Sequence, residues 1–236
     1  MLIINADDWG LNKASTDNSL ACFRTGRITS ASAMLFMADS DRAADLAGAA
    51  GLSTGLHLNV TQPFDGNGPR GGIAASQRRI SRFLRGGRYR QYFYHPGLAA
   101  DFERVFTAQY EEYVRLYRSE PAHFDGHHHM HLCANMLAAK LIPAGTRVRR
   151  NFTFKSGEKG PFNRFCRGII DGMLTRRHVC TDYFYAFGPC WSRDRLREVV
   201  GLSRERNVEL MVHPERPEEY GLLMSEDYLQ ALSGGV

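Results

Sequence analysis

The chain has 236 residues, 43% hydrophobic and 23% charged, which supplies a packed core and excludes global disorder. No apolar run approaches the ~20 residues that cross a bilayer. The start, Met1-Leu-Ile-Ile-Asn-Ala, lacks a basic region and reaches Asp7 and Asp8 at once, unlike a secretory leader. The net charge of +5 is uneven: residues 61–97 carry seven Arg and one acid, residues 140–177 ten Lys/Arg and two acids, and the remainder is acidic. Such segments suit an anionic partner or substrate, or simply a solvated loop surface. Five scattered cysteines without a CxxC pair argue against a thiolate zinc site and a disulfide framework, and a cytoplasmic location is expected.

In chain order, Leu2 to Ala6 reads as a buried strand ending at Asp7-Asp8. Asn12 caps a helix to about Thr25, with Gly26 as its stop. A strand over Ile28 to Phe36 precedes an Ala-rich helix opened by Asp39 or Ser40 and running to about Ala50. Thr54 to Val60 is a third strand, with His57 and Asn59 on its polar face. Residues 61–97, rich in Gly and Arg, read as a long loop or lid holding a short helix from Ser76 to Leu84. Phe102, Val105, Phe106, Tyr110, Tyr113, Val114 and Tyr117 form the stripe of a helix from Leu98 to Tyr117. His123 to His129 is read as a strand, Met136 to Leu141 as a short helix and Thr146 to Phe154 as a strand. Phe162, Phe165, Ile169, Ile170, Met173 and Leu174 mark an amphipathic helix. A strand over Val179 to Phe187, a helix from Ser192 to Arg206, a strand over Val208 to His213 and a last helix capped by Ser225 complete the order. Strand–helix alternation of this kind predicts parallel strands with crossover helices. Roughly seven units in one domain favour a (β/α) barrel, complete or distorted, over an open sheet.

The candidate chemistry lies at strand ends, where parallel α/β folds build their sites. In Asn5-Ala6-Asp7-Asp8-Trp9-Gly10, two acids follow an apolar strand, where burial costs free energy unless a cation or proton compensates. Neighbours on a strand point apart, so one acid on a metal and the other on a water suits the pair better than two carboxylates flanking one bond. The ordinary alternative is an Asp that caps the next helix. His57, in Gly55-Leu56-His57-Leu58-Asn59, is either a ligand or a satisfied core histidine. In His123-Phe124-Asp125-Gly126-His127-His128-His129-Met130-His131, an extended backbone puts His123, Asp125, His127, His129 and His131 on one face. Imidazole is the commonest metal ligand near neutral pH, and a neighbouring carboxylate fixes its tautomer. His213, in Val212-His213-Pro214, is placed to donate a proton. One Asp and two His make an N,N,O site with open positions that suits zinc, and magnesium or manganese less well.

These motifs, in this order, resemble the YdjC-like carbohydrate deacetylases, which include chitooligosaccharide deacetylases and hopanoid-associated deacetylases. The resemblance runs from residue 2 to about residue 214 and implies a TIM-barrel-like scaffold of the glycoside hydrolase/deacetylase type. It implies Asp7 as general base, His213 as general acid, and Asp8, His57 and His127 as ligands of one divalent ion, Zn2+ or Mg2+. An arginine that orients the base falls at Arg147, Arg149 or Arg150. The implied reaction is hydrolysis of N-acetyl groups on an amino sugar or short chitooligosaccharide. This reading admits a neutral, anionic or lipid-linked substrate and a homodimer, and no nucleic acid is expected. Rival classes are a metal-dependent phosphoesterase or nuclease, and a non-catalytic metal- or sugar-binding protein. The sequence departs from the family at Trp9, where Phe is commoner, and at residues 61–97 and 155–177, which would select the substrate. It also stops at Gly234-Gly235-Val236, where relatives continue, so the last barrel strand is expected to be missing.

Overall fold

The computed structural model describes residues 1–68, 71–87, 89–154, 158 and 160–233. The expectation about the chain end at 234–236 lies outside these residues. Six strands form one parallel sheet: β1 (Leu2–Trp9), β2 (Ser30–Ala33), β3 (Thr54–Leu58), β4 (Phe124–Gly126), β5 (Tyr183–Ala186) and β6 (Val208–Val212). Their order is β4-β3-β2-β1-β6-β5, and the sheet curls into part of a barrel. The helices are α1 (Lys13–Arg24), α2 (Ser40–Ala50), α3 (Ile73–Arg85), α4 (Ala99–Tyr117), α5 (Ala134–Ala139), α6 (Pro161–Thr175), α7 (Phe187–Cys190), α8 (Arg193–Leu202), α9 (Pro217–Leu223) and α10 (Glu226–Ser233). Among the described residues, no helix is long and apolar enough to cross a membrane.

Local chemistry explains the best-formed elements. Asn12 caps α1 reciprocally with Ser15: the Ser15 N–H donates to Asn12 Oδ1 at 3.0 Å, and the Asn12 N–H donates to Ser15 Oγ at 3.2 Å. Gly26 follows α1 in the left-handed region. The central strands β1, β2, β3 and β6 are buried almost throughout, as strands of a parallel sheet with crossover helices are. Phe102, Val105, Phe106 and Tyr113 of α4 pack into the same core.

Three readings of the sequence are corrected. The strand over His123 to His129 is only β4, because His128 and His129 adopt left-handed conformations (φ 54° and 58°) that end the extended run. The five polar groups of that segment therefore do not share one face. The strand over Thr146 to Phe154 is reduced to two bridges, Phe124 with Val148 and Arg147 with Val179, which extend the β4 edge without forming a ladder. Residues 61–97 are less of a loop than expected: α3 runs from Ile73 to Arg85, and 3-10 turns follow at Arg90–Tyr92 and Pro96–Leu98.

Candidate metal centre

Asp7 and Asp8 leave the end of β1 in different directions because the strand is irregular there. Asp8 has φ 61°, and the pairing with β2 shifts register between Ala6 and Trp9. A non-glycine residue in this region is strained, and such strain gathers at functional sites. Asp8 turns toward β3 and the residue after β4. Its Oδ1 lies 2.8 Å from His127 Nδ1 and 3.3 Å from His57 Nε2. All three residues are buried, and their nearest ligand atoms fall within 4.8 Å of one another.

His57 is held from behind: its Nδ1 lies 2.8 Å from Asp125 Oδ1 on the adjacent strand, where the two residues pair in register. A proton on Nδ1 leaves Nε2 with a lone pair aimed toward Asp8, an arrangement of acceptor against acceptor that needs a cation or a proton between them. The charge balance asks for the same thing. Arg149 is the guanidinium shared by the buried acids Asp7, Asp125 and Glu209, while the buried Asp8 has the imidazoles of His57 and His127 as its partners. Donor types, spacing and surplus negative charge thus all fit a divalent ion at Asp8, His57 and His127. The second cluster, Asp7 with His57 and Asp125, fits one less well, because Arg149 already supplies its positive charge.

Arg149 is fully buried and serves three carboxylates. It donates to both oxygens of Asp7 at 2.7 Å, to Glu209 Oε1 at 2.7 Å, and lies 2.8 Å from Asp125 Oδ2. Asn5 adds a bond to Asp7 Oδ1 at 2.9 Å, and Ser32 one to Asp125 Oδ2 at 2.7 Å. Of the three arginines that the sequence left open, Arg147 instead reaches His123 Nδ1 at 3.3 Å, and Arg150 pairs with Asp171 at 2.8 Å. Glu209 and Ser32 had no place in the sequence reading, although Glu209 is the one acid in the apolar run Val208–Val212 and was a visible signal.

The network shifts the titrations. Burial would raise the Asp8 carboxyl, but His127 and His57 bonds hold it well below its usual range. Burial likewise opposes Asp7, and Arg149 and His57 outweigh it and keep Asp7 ionised. His57 is pushed up, against desolvation, by Asp125 and Asp7. Four imidazoles of the 123–131 segment go the opposite way: burial lowers His123, His128 and His131 to about 4 and His129 to about 3. His123 and His131 are structural, bonded to Ser32 Oγ at 2.9 Å and the Arg149 carbonyl at 3.0 Å.

His213 follows β6 by one residue, just past the pairing of Ala6 with Val212. Its backbone N–H donates to Glu219 Oε2 at 2.8 Å, and its ring Nδ1 lies 3.8 Å from that oxygen, an ion-pair rather than a hydrogen-bond distance. Burial would lower its pKa, but Glu219 and the charge of Asp7 raise it. Glu215, absent from the sequence reading, sits nearby with its carboxyl raised to about 7 by burial, against His213.

A 140 Å³ cavity adjoins the centre, lined by His128 and His129, by Tyr92, and by Arg167 and Ile170 of α6. The His128 ring packs on that of His127, with centroids 4.0 Å apart.

Comparison with known proteins gives one consistent relationship. The family model described as YdjC-like protein matches residues 1–233. Chitooligosaccharide deacetylases from Klebsiella pneumoniae strain 342 and Escherichia fergusonii are 30% and 27% identical, each over 91% of this chain and 81% of the relative. A carbohydrate deacetylase from Oceanobacillus iheyensis is 32% identical over 54% of both chains. A crystal structure from Enterococcus faecalis V583, of a protein described as a cellobiose-phosphate cleavage protein, superposes with a TM-score of 0.68 at 20% identity. It covers 99% of this chain and 94% of the other, a likeness of fold.

Proposed function

This chain belongs to the YdjC-like protein family, and we propose that it is a divalent-metal-dependent hydrolase that removes N-acetyl groups from an amino sugar or short chitooligosaccharide-like substrate. The observation that carries the proposal is the buried meeting of Asp8, His57 and His127, with Asp125 fixing His57 from behind. The deacetylase names of the relatives support the reaction class.

Asp8, His57 and His127 would hold one ion, zinc or magnesium, which when bound supplies Lewis acidity toward the amide carbonyl and the attacking water. The remaining roles belong to the chain. Asp7 is the base. Arg149 grips both of its oxygens, which fixes its direction and keeps it ionised at neutral pH. Asp7 Oδ2 accepts from Arg149 and keeps a lone pair for the proton taken from water. His213 is the acid. An amine leaves poorly unless it is protonated, and Glu219 helps hold the imidazole charged so that it can give that proton. Tyr92, Arg167 and Ile170, which line the adjoining cavity, would meet the rest of the sugar.

The test is acetate release from N-acetylated chitooligosaccharides with zinc or magnesium added. Asp7→Asn should lower kcat by about 100-fold or more while metal binding persists. Full turnover by Asp7→Asn removes the base assignment. Sugar binding without acetate release, whatever the metal, removes the hydrolase reading.

A further inference from the structure

The sequence pattern of α6 is amphipathic, yet three of its apolar side chains face out. Phe165, Ile169 and Met173, at four-residue spacing on one stripe, are 66%, 49% and 46% exposed, while Leu174 of the same helix is buried. A second patch lies at the turn Arg90–Tyr92 and just after it, where Tyr92, Phe93 and Tyr94 are exposed, Phe93 at 64%. Single exposed apolar residues are ordinary, but clustered ones mark an interaction surface. The two segments, about 70 residues apart in the chain, meet at one cavity, which Tyr92 lines from one and Arg167 and Ile170 of α6 from the other.

The charge close to them in sequence is mostly positive. Arg82, Arg85 and Arg90 are exposed near the first patch, and Arg164 and Arg176 near the second. No acid occurs from residue 66 to residue 100, and Asp171, the one acid of α6, is paired with Arg150.

Apolar and aromatic side chains beside arginines are what a lipid surface accepts: the rings and aliphatic chains enter the headgroup boundary and the guanidinium groups meet anionic phosphates. A second copy of the chain fits less well, because a two-fold contact sets this patch against itself, arginine facing arginine. A nucleic acid would meet the arginines but give Ile169 and Met173 nothing apolar to enter. We propose that this rim docks on an anionic lipid surface and turns the cavity beside the Asp8–His57–His127 centre toward the lipid–water boundary. The proposal holds whatever reaction the centre performs.

The experiment is co-sedimentation of the full chain with phosphatidylcholine vesicles and with vesicles that also contain phosphatidylglycerol. Binding should require phosphatidylglycerol. It should weaken about tenfold in the triple variant Phe165→Ser/Ile169→Ser/Met173→Ser and in Arg164→Glu/Arg176→Glu, with unchanged circular dichroism and thermal midpoint. The charge-swap effect should fade at high salt, as a screened interaction does. Three results would overturn the proposal: no phosphatidylglycerol-dependent binding, equal binding by both variants, or sedimentation equilibrium showing a dimer that the triple variant dissolves.

Discussion

Taking away the Arg149 guanidinium would leave Asp7 and Glu209 buried without the cation that pairs them, and Asp125 with His57 alone. Breaking a buried pair on one side costs about 3–5 kcal/mol, so Arg149→Met should lose stability on that scale in urea titration. Arg149→Lys keeps the charge but presents a point cation that cannot fork across three carboxylates. Its kcat should fall while its KM changes little, because Asp7 loses orientation rather than the substrate losing contacts. A stable Arg149→Met chain would show that the acids find another partner. In its proposed role as the acid, His213 would set the pH behaviour. Its pKa is raised in the folded protein, so its charged form persists above the usual value of about 6.5. Turnover that needs the charged form therefore falls as pH climbs through the folded pKa. The ion pair's contribution to stability has the same sign: it is complete below the unfolded value and lost through the same rise. Glu219→Gln removes a cause of the shift, and its alkaline limb in a kcat–pH profile should move to lower pH. An unmoved limb would assign that limb to another group, with Glu215 the first to examine.

At the scale of elements, α1 offers a clean measure of what local sequence contributes. Asn12→Ala removes the reciprocal cap with Ser15 and should cost about 1 kcal/mol by chemical denaturation. Elements with such local signals were legible: α1, α2, α4, β1, β3 and β6 fall within a few residues of the expectation. The segment after β4 was not. Alternation along His123 to His131 reads as a strand, and no pattern of residue types signals that His128 and His129 turn left-handed. His127 joins Asp8 and His57 because it stands at the start of that turn. The choice of Arg149 was also hidden. Arg147 and Arg149 share strand parity, and only the bridges of this segment to Phe124 and Val179 decide which guanidinium enters the core. Gly55 carries information visible only in three dimensions: a Cβ there would come within 2.5 Å of the His123 ring. Gly55→Ala should displace that imidazole from Ser32 and destabilise the fold by about 1–3 kcal/mol, measurable as a lower urea midpoint with an unchanged slope.

For the whole molecule, the architecture expected from strand–helix alternation is present as a six-stranded parallel sheet that curls without closing. The segment 146–154 contributes two bridges where a further strand was expected. The candidate metal centre sits across this open structure: Asp8 comes from the end of β1, His57 from β3 and His127 from the residue after β4. An ion shared by the three would tie together strands whose residues lie 49 and 70 positions apart, and binding to the folded chain alone stabilises it by mass action. At one hundred times the dissociation constant this amounts to about 2.7 kcal/mol, or several degrees of melting temperature for a chain of this size at about 2–4 °C per kcal/mol. Zinc or magnesium added to chelator-treated protein should raise the melting temperature by that order. Asp8→Asn should abolish the rise, whereas Asp125→Asn, which frees the back of His57, should retain it but require about 10–100 times more metal. An equal rise in Asp8→Asn would place the ion elsewhere and separate the buried cluster from any role in holding it.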